Sequence, residues 1–96
     1  MDNLEITRHD EETRGEYRAH PSDSVAIGRL TYKKNGDVYV ADHTLVPPEI
    51  GGRGIAAKLV EALIADARDE GFKIVPQCSY VDAAFRRHPD WSDLRA

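Results

Sequence analysis

A chain of 96 residues with 41% hydrophobic and 31% charged residues forms one small domain, spanning 1–96, with enough apolar mass for a core. The net charge of −4 argues against nucleic acid as a partner, and no apolar run approaches the roughly 18 residues that a membrane span needs. A polar, acidic start unlike a secretory leader and a lone cysteine, which cannot form an internal disulfide, predict a cytoplasmic location.

Leu4 to His9 alternates apolar and polar residues as a short strand does, and Asp10-Glu11-Glu12 makes an acidic turn. Glu16 to His20 reads as a second strand, closed by Pro21-Ser22-Asp23-Ser24. Val25 to Tyr32 is the next, with Val25 and Ile27 on one face and Leu30 and Tyr32 on the other. Asn35-Gly36 is a strong hairpin signal. A long strand then runs from Val38 to Val46 and stops at Pro47-Pro48. Alternation puts Asp42, Thr44 and Val46 on one face, and Ala41, His43 and Leu45 on the other.

After the prolines the period changes. Ile55, Leu59, Leu63 and Ala67 recur at every fourth position, beside Ala56, Val60 and Ile64. Lys58, Glu61, Asp66, Arg68, Asp69 and Glu70 fill the other side, so an amphipathic helix ends at Gly71. Phe72 to Ser79 follows as a strand in which Pro76 requires an edge or a bulge. Tyr80 to Arg87 is a short helix stopped by Pro89, with an irregular tail to Ala96. The order predicts an α+β fold: an antiparallel meander followed by a βαβ unit whose two strands are parallel.

Glu49-Ile50-Gly51-Gly52-Arg53-Gly54-Ile55-Ala56-Ala57 joins the long strand to the helix. A helix start leaves N–H groups unpaired and partly positive, and glycine lets a ligand approach the backbone closely. Several converging donors suit phosphate or pyrophosphate. A P-loop is excluded, because no Gly-Lys-Ser/Thr is present. Gly52-Arg53-Gly54-Ile55-Ala56-Ala57 satisfies the dinucleotide pattern, but it follows a meander and no acid stands in Lys73-Ile74-Val75-Pro76-Gln77.

The junction, with Asp42-His43-Thr44-Leu45-Val46-Pro47-Pro48-Glu49 before it and Val75-Pro76-Gln77-Cys78-Ser79-Tyr80 and Arg87-His88-Pro89 after it, resembles the minimal GCN5-related N-acetyltransferases. These are the YjdJ-type or NATD1-like proteins, and the likeness covers nearly the entire chain. It implies a GNAT-like fold without the usual helices between the first two strands. It also implies acetyl-CoA as cosubstrate, with the pyrophosphate on backbone N–H groups of Gly52, Arg53, Gly54, Ile55 and Ala56. The thioester carbonyl would meet the backbone near Leu45 and Val46. The CoA arm would lie between that strand and the Val75–Ser79 strand. Two positions depart from the wider family: Glu49 replaces the usual Gln or Arg, and Phe85 stands where many members carry a tyrosine acid.

Acetyl transfer to an amine needs a base, a polarised carbonyl and a proton for the leaving thiolate. His43 and Cys78 are the candidate catalytic residues beside that thioester. His43 reads equally as a base and as a structural histidine, and Cys78 as packing, proton donor or acyl acceptor. Arg53 reads as a phosphate contact or a solvated side chain. Arg86-Arg87 reads as a solvated helix face or a contact for the 3′-phosphate of CoA. His9, His20, His43 and His88 lack ligand spacing, so no metal is expected. The expected activity is acetyl transfer from CoA to an amine acceptor, small or macromolecular. Alternatives are transfer through Cys78 and a CoA-binding or partner-binding module without turnover. Oligomeric state is open, with Phe85 and Trp91 as candidate exposed contacts.

Overall fold

Period-two patterning, a proline stop and one amphipathic helix produce the architecture seen in a computed structural model that describes residues 4–96. The strands are β1 (Leu4–Asp10), β2 (Arg14–Pro21), β3 (Gly28–Asn35), β4 (Val38–Leu45) and β5 (Lys73–Pro76). Helix α1 (Ile55–Glu70) connects β4 to β5, and α2 (Ser79–Arg87) follows β5. All five strands form one sheet in the order β1-β2-β3-β4-β5. The first four are antiparallel, and β5 joins β4 in parallel, as a crossover helix requires. This is the expected α+β order, and only a tight turn lies between β1 and β2.

One face of the sheet carries the core. Ile55, Leu59, Val60, Leu63, Ile64 and Ala67 of α1 are buried in one cluster with Tyr17, Ala19, Leu30, Tyr32, Tyr39 and Ala41. A row of rings crosses the strands beneath α1: Tyr17–Tyr32 at 5.5 Å, Tyr32–Tyr39 at 5.2 Å and Tyr39–Phe72 at 3.8 Å. Asp66 belongs to this packing rather than to the solvated side of α1. It accepts from Tyr17 Oη at 2.7 Å and from Arg8 at 3.0 Å, which ties β1 and β2 to the helix. On the opposite face Thr7, His9, Glu16, Arg18, Arg29, Thr31 and Lys33 are exposed or half-buried, so that face is solvated.

Four local features differ from the simple pattern. Strand β3 begins at Gly28, leaving Val25 fully exposed in the preceding loop. Pairing of β2 with β3 ends at Ala19↔Gly28, close to Pro21, which has no N–H to give a ladder. The β3–β4 turn uses Gly36-Asp37 as its two loop residues, because Asn35 still pairs with Val38 and Gly36 takes φ +63°. The tail is ordered into a 3₁₀ segment, Pro89–Leu94, that buries Trp91 and Leu94. Trp91 stacks on His88 at 4.0 Å and meets Phe85 edge-on at 5.7 Å, so Phe85 and Trp91 complete the core rather than an exposed contact.

The fourth feature is a β-bulge. Thr31 pairs with His43 and Tyr32 with Ala41, which leaves Asp42 as an extra residue in β4. The alternation therefore changes phase. Thr44 lies opposite buried Leu30 on the helix side, whereas His43 lies opposite Thr31 on the solvated side. Asp42 accepts from the Thr31 hydroxyl at 2.6 Å, so Asp42 and His43 share one face instead of opposing each other.

Candidate functional site

Pro47 ends β4, and Pro48–Ile50 forms a single 3₁₀ turn anchored by the buried Ile50 side chain. Ile50 N–H donates to Pro47 O and Gly51 N–H to Pro48 O, both at 3.1 Å. The chain then reverses through Gly52 (φ +75°) and Gly54 (φ +74°), and Gly54 is the N-cap of α1. A Cβ at either glycine would meet nothing within 4 Å. Backbone conformation, not crowding, demands glycine there, and the space above the loop is open.

No side chain caps α1 and its first turn holds no acid. The first bond at this end runs from Lys58 N–H to Gly54 O at 3.2 Å. The N–H groups of Ile55, Ala56 and Ala57 therefore have no acceptor within the helix, and a partial positive charge faces the open loop. Arg53 donates to Asp23 at 2.8 Å, bridging the glycine loop to the segment before β3. That guanidinium holds the Asp23 carboxyl below the ordinary carboxylate range. Sequence reasoning did not single out Asp23, because only the fold brings positions 23 and 53 together. A pyrophosphate suits this loop: it is bare and uncapped, its own residues from Gly51 to Ala57 include no acid, and it carries one arginine.

Parallel pairing of β4 with β5 ends at Ala41↔Pro76. One further bond, Cys78 N–H to Ala41 O at 2.8 Å, holds the two segments together there. Beyond it, His43, Thr44 and Leu45 pair with β3 on one side and have no β5 partner on the other. Leu45 is exposed at the end of β4, and half-buried Val46 packs against the core. Their backbone thus edges the gap between β4 and β5.

The structure separates the two candidate catalytic side chains. His43 is exposed on the solvated side of β4. Cys78 is half-buried and directs its Sγ to Thr44 Oγ1 at 3.4 Å, which is the helix side. Burial acts to raise the thiol pKa, but the Thr44 hydroxyl and the Val81 and Tyr80 N–H groups outweigh it, and the thiol sits below its ordinary value. Cys78 is the N-cap of α2 without a closed side-chain cap bond, so those N–H groups act mainly as partial positive charges. Thr44 was missed in the sequence because it looks like an ordinary strand residue until the bulge sets its phase. Among the described residues no group of three or more His, Cys, Asp or Glu comes together as a metal site.

A family model described as GCN5-related N-acetyl-transferase matches residues 16–94 of this chain. Among solved structures, the chain is similar to a candidate GCN5-like N-acetyltransferase from Staphylococcus aureus determined in solution by NMR. The two are 26% identical, the match covers 100% of this chain and 91% of that one, and the TM-score is 0.71.

Proposed function

Because the chain belongs to the GCN5-related N-acetyltransferase family, we propose that it is a minimal member transferring acetyl from acetyl-CoA to an amine in a reducing, cytoplasmic setting. The observation that carries this reading is the uncapped start of α1, where Gly52 and Gly54 keep the backbone bare and acid-free. Gly52, Arg53, Gly54, Ile55 and Ala56 would hold the pyrophosphate through backbone N–H groups, with Arg53 exchanging Asp23 for phosphate. Leu45 and Val46, on the side of β4 that β5 leaves unpaired, offer N–H groups to the thioester carbonyl. His43 accepts a proton from the attacking amine. As the new C–N bond forms the C–S bond breaks, and Cys78 or solvent returns a proton to the departing sulfur.

A second reading is favoured by the place of Cys78, at the start of α2 and bonded to Ala41 O where β5 leaves β4, with a thiol held below its ordinary pKa. Here Cys78 Sγ attacks the acetyl carbonyl, the CoA C–S bond breaks and CoA leaves as its thiol with the proton from Cys78. The amine then attacks the Cys78 thioester, whose C–S bond breaks as the amine's proton restores the thiol. The test is an acetyl-CoA titration followed by thermal stability, then CoA release with a panel of amines. Wild type, His43→Ala and Cys78→Ala are compared. Stabilisation with amine-dependent release supports transfer, and acetyl retained on Cys78 of a quenched reaction supports the second route. No stabilisation by acetyl-CoA rejects the reading, and stabilisation without release from any amine leaves a CoA-binding module.

A further inference from the structure

The solvated face of the sheet contains a cavity of about 460 Å³ whose lining includes Thr31, Lys33, Asp42, Glu16 and Arg18. Almost all of its charge is internally compensated. Glu16 pairs with Arg18, Glu11 with Arg14 at 3.4 Å, and Asp10 with Arg8 at 3.1 Å and Lys34 at 3.2 Å. Of the charged side chains in the lining, two stand apart from this pattern. Asp42 has only the neutral Thr31 hydroxyl at 2.6 Å, and Lys33 faces the same cavity with no carboxylate partner.

The bulge makes this pairing consequential. Asp42 would face away from His43 in a regular strand, but the extra residue puts both on the solvated face, with Asp42 lining the cavity and His43 next to it in the chain. The same bulge lies where β5 stops pairing with β4, at the edge of the gap described above. Lys33 and Thr31 are alternate residues of β3, so their Cα atoms are roughly 7 Å apart. A ligand with opposite charges several bonds apart therefore matches the two uncompensated groups.

We propose that this cavity is the acceptor subsite, taking a primary amine that also bears an anionic group, with its ammonium on Asp42 and its anion on Lys33. The proposal rests on the acetyltransferase reading for the purpose of the site, while the ligand class follows from the cavity alone. An ammonium held by Asp42 stands next to His43, the group that would take its proton before attack. Asp42 thus acts as a binding residue for the acceptor. The absence of helices between β1 and β2 leaves this face open to such a ligand.

The experiment is an amide-resolved NMR titration of the whole chain with 6-aminohexanoate, hexylamine and hexanoate as probes. Wild type, Asp42→Asn and Lys33→Ala are each titrated, and acetyl-CoA is titrated separately. The expected result is that 6-aminohexanoate shifts Thr31, Lys33, Asp42 and His43 in wild type. Asp42→Asn weakens it roughly tenfold, and Lys33→Ala reduces it to the level of hexylamine. Acetyl-CoA binding stays unchanged in both variants, which also establishes that they fold. Absence of shifts at these residues with every probe, or equal affinity in Asp42→Asn, overturns the subsite even if acetyl-CoA binds. Probe binding at the cavity in a protein that does not bind acetyl-CoA overturns the acetyltransferase reading and leaves the ligand class standing.

Discussion

The Cys78 thiol lies 3.4 Å from Thr44 Oγ1, on the side of β4 opposite the one that carries His43. This contact couples the start of α2 to the strand bordering the site, and it contributes to holding the thiol below its ordinary pKa despite partial burial. Thr44→Val removes the hydroxyl and leaves the shape. Alkylation by iodoacetamide, followed against pH, should show its midpoint move upward in this variant and the rate at neutral pH fall. An unmoved midpoint would assign the depressed pKa to the α2 N–H groups and the Thr44 backbone.

The loop glycines separate by conformation. Gly54→Ala and Gly52→Ala each force a left-handed backbone on an alanine, at a cost of about 1–2 kcal/mol. Gly51 has φ −69°, and its added Cβ would make ordinary contact with Pro48 O at 3.4 Å. Gly51→Ala should therefore stay within about 0.5 kcal/mol of wild type. Urea denaturation ranks the three, and acetyl-CoA titration should rank them the same way.

Asp23 occupies the guanidinium that a phosphate would use. Asp23→Asn should leave the melting temperature unchanged, since the pair is exposed, yet tighten acetyl-CoA binding roughly threefold at low salt. The gain should vanish in an Arg53→Ala background. Calorimetric titration of the four combinations measures the coupling.

Alternation made four strands legible, and the fourth-residue repeat from Ile55 to Ala67 made α1 legible, because both follow from which side chains must leave water. The proline stop and glycine cluster located the loop for the same local reason. The phase of β4 beyond Ala41 could not be read that way. An extra residue in a ladder has no compositional mark, so simple alternation puts Asp42 and Thr44 on the face opposite His43, whereas the bulge sets Asp42 beside His43 and Thr44 against Cys78. The Arg53–Asp23 and Asp66–Tyr17 contacts are equally non-local, joining residues whose sequence positions look solvent-facing. Trp91 and Phe85 read from the sequence as exposed contacts because a tail of mixed polarity gives no period from which to infer their burial.

Tyr17 and Tyr32 are both buried, and both phenols are held above their ordinary pKa. Burial is the leading cause in each, followed by the hydrogen bonds to Asp66 and Asp10 respectively. A folded pKa above the unfolded one keeps the full stability contribution below pH ~10 and loses it as pH rises further, because only the unfolded phenols ionise. Stability should fall by about 1.4 kcal/mol per pH unit for each tyrosine in that range. Tyr17→Phe should reduce the alkaline slope by one such increment, as read from urea midpoints at a series of pH values.

Gly15 sits where β2 passes the Tyr32–Asp10 contact. A Cβ at this position would fall 2.6 Å from Tyr32 Oη and 2.7 Å from Asp10 Oδ1. Gly15→Ala should cost about 1–3 kcal/mol, with near-ultraviolet circular dichroism reporting displacement of the tyrosine row. Combination with Tyr32→Phe should recover part of the loss, because the phenolic oxygen is one of the obstructing atoms.

The tail described with the fold has a consequence for association. Arg95 bridges to Ile74 and Ala96 N–H donates to Ile74 O at 2.8 Å, so the outer edge of β5 is already occupied. Apart from the short stretch of β4 that β5 leaves unpaired, a visiting strand would extend the sheet along β1. There Glu5, Arg8 and Asp10 would have to surrender hydration or existing ion pairs to a neighbour. The sheet is therefore guarded at both ends by different means, one by its own chain and one by charge, and self-templated growth into fibrils is disfavoured from either direction.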